Sequence, residues 1–159
     1  MVDLKDSGER KIFEGGAMRE IFEGKGRCDL LPLDVVADIL NATEPKKRIL
    51  ELINDFLRTG DIVFIKEVIL QFSDERRWDL ITMFIELSIH YEDGARKYAD
   101  NNWKKGLPVH SFIDSGVRHY LKWLRGDQDE PHDRAFIWNM VGVIWTMENK
   151  PELNDICGY

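Results

Sequence analysis

Residues 131–148 read Pro-His-Asp-Arg-Ala-Phe-Ile-Trp-Asn-Met-Val-Gly-Val-Ile-Trp-Thr-Met-Glu. Pro131 suits the opening of a helix, where a missing N–H costs nothing, and Asn149 and Pro151 stop it. Between them, large apolar side chains from Phe136 to Met147 face nearly every direction. A helix that is apolar all round belongs at the centre of a bundle. One stripe breaks the pattern. His132, Ala135, Asn139 and Gly142 recur at helical spacing and share a face that is small and polar. A buried Asn must be hydrogen-bonded, so this face meets a polar group, a ligand or water. Small residues there also suit a close helix–helix contact with Asn139 bonded to a neighbouring backbone.

The segments before this helix are helical too. Pro32 and the apolar set Val35, Val36, Ile39 and Leu40 predict one helix beginning near Asp29. Ile49, Leu52, Ile53, Phe56 and Leu57 predict a second, starting near Pro45 and closed by Gly60. Ile62, Ile65, Val68, Ile69 and Phe72 form a third stripe, and Ser73 offers a cap for a long helix to Tyr98. Ser111 and Asp114 resemble a capping box for a helix ending at Gly126. Residues 1–28 hold five of the twelve glycines and read as loop with one short helix near Ala17–Phe22. No segment alternates with period two. The fold class is therefore all-α: a single-domain bundle of five to six helices behind a Gly-rich N-terminal segment, with 41–80 an added helical segment.

Composition narrows the function. The chain has 159 residues, 43% apolar and 32% charged, which is a globular composition. Its net charge of −7 disfavours broad contact with a nucleic-acid backbone but permits a small anion at a local basic cluster. Two cysteines, Cys28 and Cys157, are too few for a disulfide framework or a thiolate zinc site and suit a reducing compartment. With no signal peptide and no apolar run of membrane-spanning length, a cytoplasmic location is expected. No P-loop, His-Glu-x-x-His or Gly-x-Ser-x-Gly motif occurs, and Gly24-Lys25-Gly26-Arg27 is either a flexible anion contact or a polar connector.

The chemistry is concentrated in the C-terminal half, where all four histidines lie between 90 and 132. Glu130 and Asp133 have the Glu-x-x-Asp spacing that puts two carboxylates on one helical face, an arrangement that suits Mg²⁺ or Mn²⁺. The alternative is ordinary capping of a helix N-terminus by acidic side chains. Glu86, His90, Asp93 and Lys97 form a stripe on the long helix with Glu92 beside it; Asp114, Arg118 and Lys122 recur every four residues with His119 adjacent. Asp114 and Arg118 also satisfy a plain i,i+4 ion pair. Lys97, Lys104, Lys105, Arg118 and Lys122 make a basic group in which Trp103 can stack on a base. Divalent metal together with cations is what phosphate chemistry uses.

Several words of the chain resemble a phage and prophage family, the dATP/dGTP diphosphohydrolase N-terminal domain. They are Gly16-Ala17-Met18-Arg19-Glu20, Gly24 to Pro32, Tyr91 to Tyr98, Asn102-Trp103-Lys104-Lys105-Gly106, Asp114-Ser115, Arg118-His119, Gly126, Asp129-Glu130-Pro131-His132 and Trp138-Asn139. The resemblance implies hydrolysis of purine deoxynucleoside triphosphates to monophosphate and pyrophosphate. It also implies kinship with all-α, MazG-like pyrophosphatases, which act as dimers or tetramers through Glu-x-x-Glu and Glu-x-x-Asp metal motifs. Here Glu130-x-x-Asp133 fits the second motif; the first departs from it, with Ile89 standing three residues before Glu92.

The expected enzyme is thus a homo-oligomer whose Glu92, Asp114, Glu130 and Asp133 hold Mg²⁺ or Mn²⁺. Lys97, Lys104, Arg118 and Lys122 neutralise the polyphosphate, Asn102 or Trp103 contacts the purine, and Asn139 lines the site. Glu92, Glu130, His119 and His132 are the catalytic candidates. Two other readings use the same residues. His119, His132-Asp133 and Asp155 stand in the order of an HD phosphohydrolase, which would release tripolyphosphate. A phage protein that only binds a nucleotide or nucleotide signal is the third.

Overall fold

The computed structural model describes residues 8–20, 25–43 and 48–156, with backbone alone at 38 and 41–43. Six helices carry it: α1 (Leu33–Thr43), α2 (Ile49–Thr59), α3 (Ile62–Arg76), α4 (Leu80–Tyr98), α5 (Val109–Arg125) and α6 (His132–Asn149). The architecture is all-α, as expected. The one sheet among the described residues is a hairpin, β1 (Arg10–Ile12) against β2 (Met18–Glu20), antiparallel with Arg10 opposite Glu20 and Ile12 opposite Met18. β2 replaces the short helix expected near Ala17; residues 21–24 lie outside the described ones. Strands of three residues are too short to print an alternating pattern, and the 13–17 turn bonds locally, Phe13 N–H to Ala17 at 2.9 Å.

α5 and α6 form the centre. Phe112, Ile113, Val117 and Tyr120 of α5 and Phe136, Met140 and Val143 of α6 are buried in one apolar core with Phe56, Val68 and Phe72 from α2 and α3. Phe72 meets Phe136 and Trp123 edge-on, with centroids 4.8 and 4.9 Å apart. The helices approach closely because Gly116 and Gly142 lack side chains. A Cβ on Gly142 would lie 2.6 Å from Cδ1 of Phe112, and one on Gly116 would lie 2.6 Å from Cε of Met140. The small stripe of α6 is therefore a packing surface at Gly142 and a polar one at Asn139.

Helix boundaries move: α1 begins at Leu33 and not near Asp29, which lies in a 3-10 turn at Cys28–Leu30, and α2 begins at Ile49 and not near Pro45. Ser73 does not begin a helix: it is buried inside α3, its hydroxyl donating to the Leu70 carbonyl at 2.7 Å. α3 ends at left-handed Arg77, and Asp79 caps α4 by accepting from the Thr82 N–H and hydroxyl. Asp caps well because a carboxylate meets the positive end of the helix dipole. α5 begins at Val109, so Ser111 and Asp114 lie within it and are buried rather than capping it. The carboxylate at that N-terminus comes from Asp155, which accepts from His110 N–H at 3.0 Å and meets His110 Nδ1. α6 begins at His132, which leaves Glu130 outside the helix and removes the shared face expected for Glu130 and Asp133. No helix among the described residues is long and apolar enough to cross a membrane.

Candidate active site

A cavity of ≈ 1090 Å³ opens between β2, α4, the Asn102–Lys105 turn, α5 and the start of α6. That is slightly above the range usual for small-molecule sites, roughly 300–1,000 Å³. Glu92, Lys97, Asn102, Trp103, Arg118, His119, Lys122, Glu130 and Asn139 all line it. Lys104, Asp114, His132 and Asp133 do not. Lys104 is exposed, with its Nζ 5.4 Å from the centroid of the Trp103 ring.

The carboxylates expected to share a metal are brought to separate partners. Glu92 is exposed and pairs with Arg96 at 2.5 Å. Asp114 is buried within α5; it accepts from Cys28 N–H at 2.6 Å and from Arg118 at 2.6 Å. Arg118 in turn donates to the carbonyls of Lys25 and Gly26, at 3.1 and 2.7 Å. These two residues therefore tie the Gly-Lys-Gly-Arg stretch to α5. Asp133 accepts from Arg76 at 2.9 Å and from its own helix at Arg134 N–H. Asn102 is also committed: it accepts from Met18 N–H at 3.2 Å and donates to Met18 carbonyl at 3.1 Å, completing the free edge of β2.

What does converge is a histidine pair. Nδ1 of His119 on α5 and Nδ1 of His132 at the start of α6 stand 2.9 Å apart. Glu130 Oε2 lies 4.0 Å from both. Asp129 Oδ1 faces the other nitrogen of His132 at 2.8 Å, and Lys122 reaches Asp129 at 3.8 Å. Burial first, then His132, hold the His119 imidazolium well below its usual pKa, so that ring is neutral at neutral pH. Among the described residues, the triads that can close on an ion are His119, Glu130, His132 and Asp127, Asp129, His132. Asp127 is already held by Arg125, at 2.8 Å to its Nε.

Two cavity residues went unassigned in the sequence. Arg19, on β2, donates to the Ser111 carbonyl at 3.1 Å and to Asn139 Oδ1 at 2.9 Å, and sits over the Trp138 and Phe112 rings. It is the polar group that the Asn139 stripe meets, while Asn139 Nδ2 donates to Ala135 carbonyl. Both acceptors of Arg19 are neutral. Desolvation pulls its pKa down to about 10, with Asp114 and Glu20 acting only through space. The other cations here are paired: Lys25 and Lys97 with Glu20, at 2.8 and 2.5 Å, and Arg118 with Asp114. His90 on α4 is buried beside Trp138, its Nδ1 without a hydrogen-bond partner and its pKa lowered to about 4, chiefly by burial. Glu86, on the same helical stripe as His90, turns to Arg134 at 2.5 Å.

Residues 72–156 match the family described as dATP/dGTP diphosphohydrolase, N-terminal. The chain belongs to that family. The matched span of this diphosphohydrolase-family chain covers the end of α3 through α6, and so both histidines, Glu130 and Asn139. Arg19 and the Gly-Lys-Gly-Arg stretch lie outside it. No curated protein and no solved structure matches the chain.

Proposed function

We propose that this chain hydrolyses purine nucleoside triphosphates, deoxy forms included, to monophosphate and pyrophosphate in the cavity between β2, α4 and α5. Family membership supports the reaction class. The observation that carries the reading is Arg19: a cation in the cavity wall whose hydrogen bonds all go to neutral acceptors. A desolvated guanidinium without a carboxylate is a site for an incoming anion.

In this reading the polyphosphate lies along Arg19, Lys97, Arg118 and Lys122, and the purine packs against the aromatic wall of Tyr91, Trp103 and Trp138. Water attacks the α-phosphorus, the bond to the α,β-bridging oxygen breaks, and pyrophosphate leaves. His119 and Glu130, on the cavity wall, orient that water, with His132 bonded behind His119, and Glu130 takes its proton. The oxygen-rich set expected to hold Mg²⁺ or Mn²⁺ does not assemble, because Glu92, Asp114 and Asp133 are each engaged by an arginine.

The same reading has the enzyme acting in the cytoplasm, of a host cell if phage-encoded, as a homo-oligomer. Leu80, Ile81, Phe84 and Ile85 support the last point: they form an exposed apolar face on the first turns of α4. The HD arrangement has less support, since Asp133 turns to Arg76 and Asp155 to His110. The test is incubation with each dNTP and NTP in Mg²⁺ and in Mn²⁺, with the phosphate products resolved. Conversion of dATP or dGTP to monophosphate and pyrophosphate is expected. Binding of a nucleotide that is recovered intact would make the chain a binding protein instead.

A further inference from the structure

We propose that His119, His132 and Glu130 form a binding site for one divalent transition-metal ion, of the class that accepts imidazole (Mn²⁺, Co²⁺, Zn²⁺), with Asp129 as the residue that orients His132. This deepens the hydrolase reading by assigning the metal of its site, but it can stand or fall separately.

The first argument is the arrangement of protons. A carboxylate only accepts, so Asp129 Oδ1 at 2.8 Å requires His132 Nε2 to carry the hydrogen. The coordinating atom of His132 is then Nδ1, on the side of the ring away from Asp129. Within hydrogen-bond distance that Nδ1 meets only Nδ1 of His119, 2.9 Å away, and no backbone N–H or cationic side chain among the described residues. A carboxylate behind one imidazole nitrogen, with the other nitrogen left as lone pair, is the arrangement that sets a histidine up as a metal ligand.

The second argument is charge. Glu130 is half-buried, with its Oε2 4.0 Å from both imidazole nitrogens. Among the described residues no lysine or arginine lies within ion-pair distance of it. Its neighbours differ in this respect: Asp127 has Arg125, Asp129 has Lys122 and Asp133 has Arg76. A half-buried carboxylate facing two imidazoles, with no lysine or arginine in reach, lacks a fixed counter-charge, and a cation among the three supplies it.

The third argument is position. His119 and Glu130 line the cavity that holds Arg19, so an ion here keeps open coordination positions toward the anionic ligand. Two imidazoles and one carboxylate with open positions are a donor set for transition ions, whereas Mg²⁺ prefers oxygen throughout. Bound there, such an ion would acidify a water that it holds.

The experiment is a titration of the chelator-treated full chain with Co²⁺, followed by visible absorption and calorimetry, with Zn²⁺ and Mg²⁺ as competitors. One Co²⁺ per chain is expected, displaced by Zn²⁺ but not by equimolar Mg²⁺. His119→Gln and Glu130→Gln should abolish the absorption band, and Asp129→Asn should weaken binding by about 10–100-fold. Circular dichroism of each variant establishes that it is folded. No Co²⁺ binding by the wild-type chain overturns the proposal. So does an unchanged band in a folded His119→Gln variant, or equal displacement by Mg²⁺. A chain that binds Co²⁺ at these residues yet turns over no nucleotide keeps the metal site and loses the hydrolase reading.

Discussion

Replacing Arg19 with Met separates binding from folding. Native Arg19 is held at about 10 instead of its ordinary 12.5, chiefly by loss of water around the guanidinium. At about 1.4 kcal/mol per pKa unit, keeping it charged in the folded chain costs on the order of 3 kcal/mol. The variant regains that and loses two hydrogen bonds to a charged donor, at Ser111 and Asn139, which contribute about 1.5–3 kcal/mol each. The two bonds together sum to about 3–6 kcal/mol, so Arg19→Met should unfold in urea about 0–3 kcal/mol below wild type and remain folded. Anion binding has no such compensation. Removing one partner of a desolvated charge pair costs about 2–5 kcal/mol, so the affinity for dGTP should fall at least ~30-fold. Calorimetric titration with a non-hydrolysable dGTP analogue, beside urea unfolding of the same samples, reads both quantities. Unchanged affinity in the variant would refute the assignment of Arg19 as the phosphate anchor.

Gly142→Ala should cost about 1–3 kcal/mol of stability, because the new methyl overlaps the Phe112 ring, as urea midpoints will show; a neutral substitution would mean that α5 and α6 have slack. Acid should destabilise the fold through His90. The unfolded chain binds its proton near 6.5 and the native chain near 4, so stability is full above pH 6.5 and falls by about 3 kcal/mol as pH drops toward 4. His90→Phe should flatten that slope in unfolding curves at pH 7.5 and 4.5, and an unchanged slope would assign it elsewhere. Phe84→Glu should shift the chain to monomer in sedimentation experiments if the exposed face of α4 joins copies; wild-type chain already monomeric at micromolar concentration would contradict that.

The parts of this site that were legible in the sequence are those written within one helix. The all-round apolarity of residues 131–148 placed α6 at the centre, and the interruption at Asn139 announced a polar neighbour. The identity of that neighbour was not legible. Arg19 lies 120 residues away on a three-residue strand, where no periodicity can single it out. The carboxylates misled for a related reason. Spacing shows that Asp114 and Arg118 can meet, and they do, but not that Cys28 N–H takes the other oxygen. Glu130-x-x-Asp133 assumes helical geometry at Glu130, whereas the helix begins two residues later. His119 and His132 come together only because α5 reverses through the 126–131 loop into α6, which a spacing of thirteen residues does not reveal.

The central claim is hydrolysis at the α-phosphorus, and turnover of dATP and dGTP in heavy-oxygen water tests it most directly. Mass spectrometry of the products should find the label in the monophosphate, with unlabelled pyrophosphate. Label in pyrophosphate, release of tripolyphosphate with a free nucleoside, or no turnover would contradict the account.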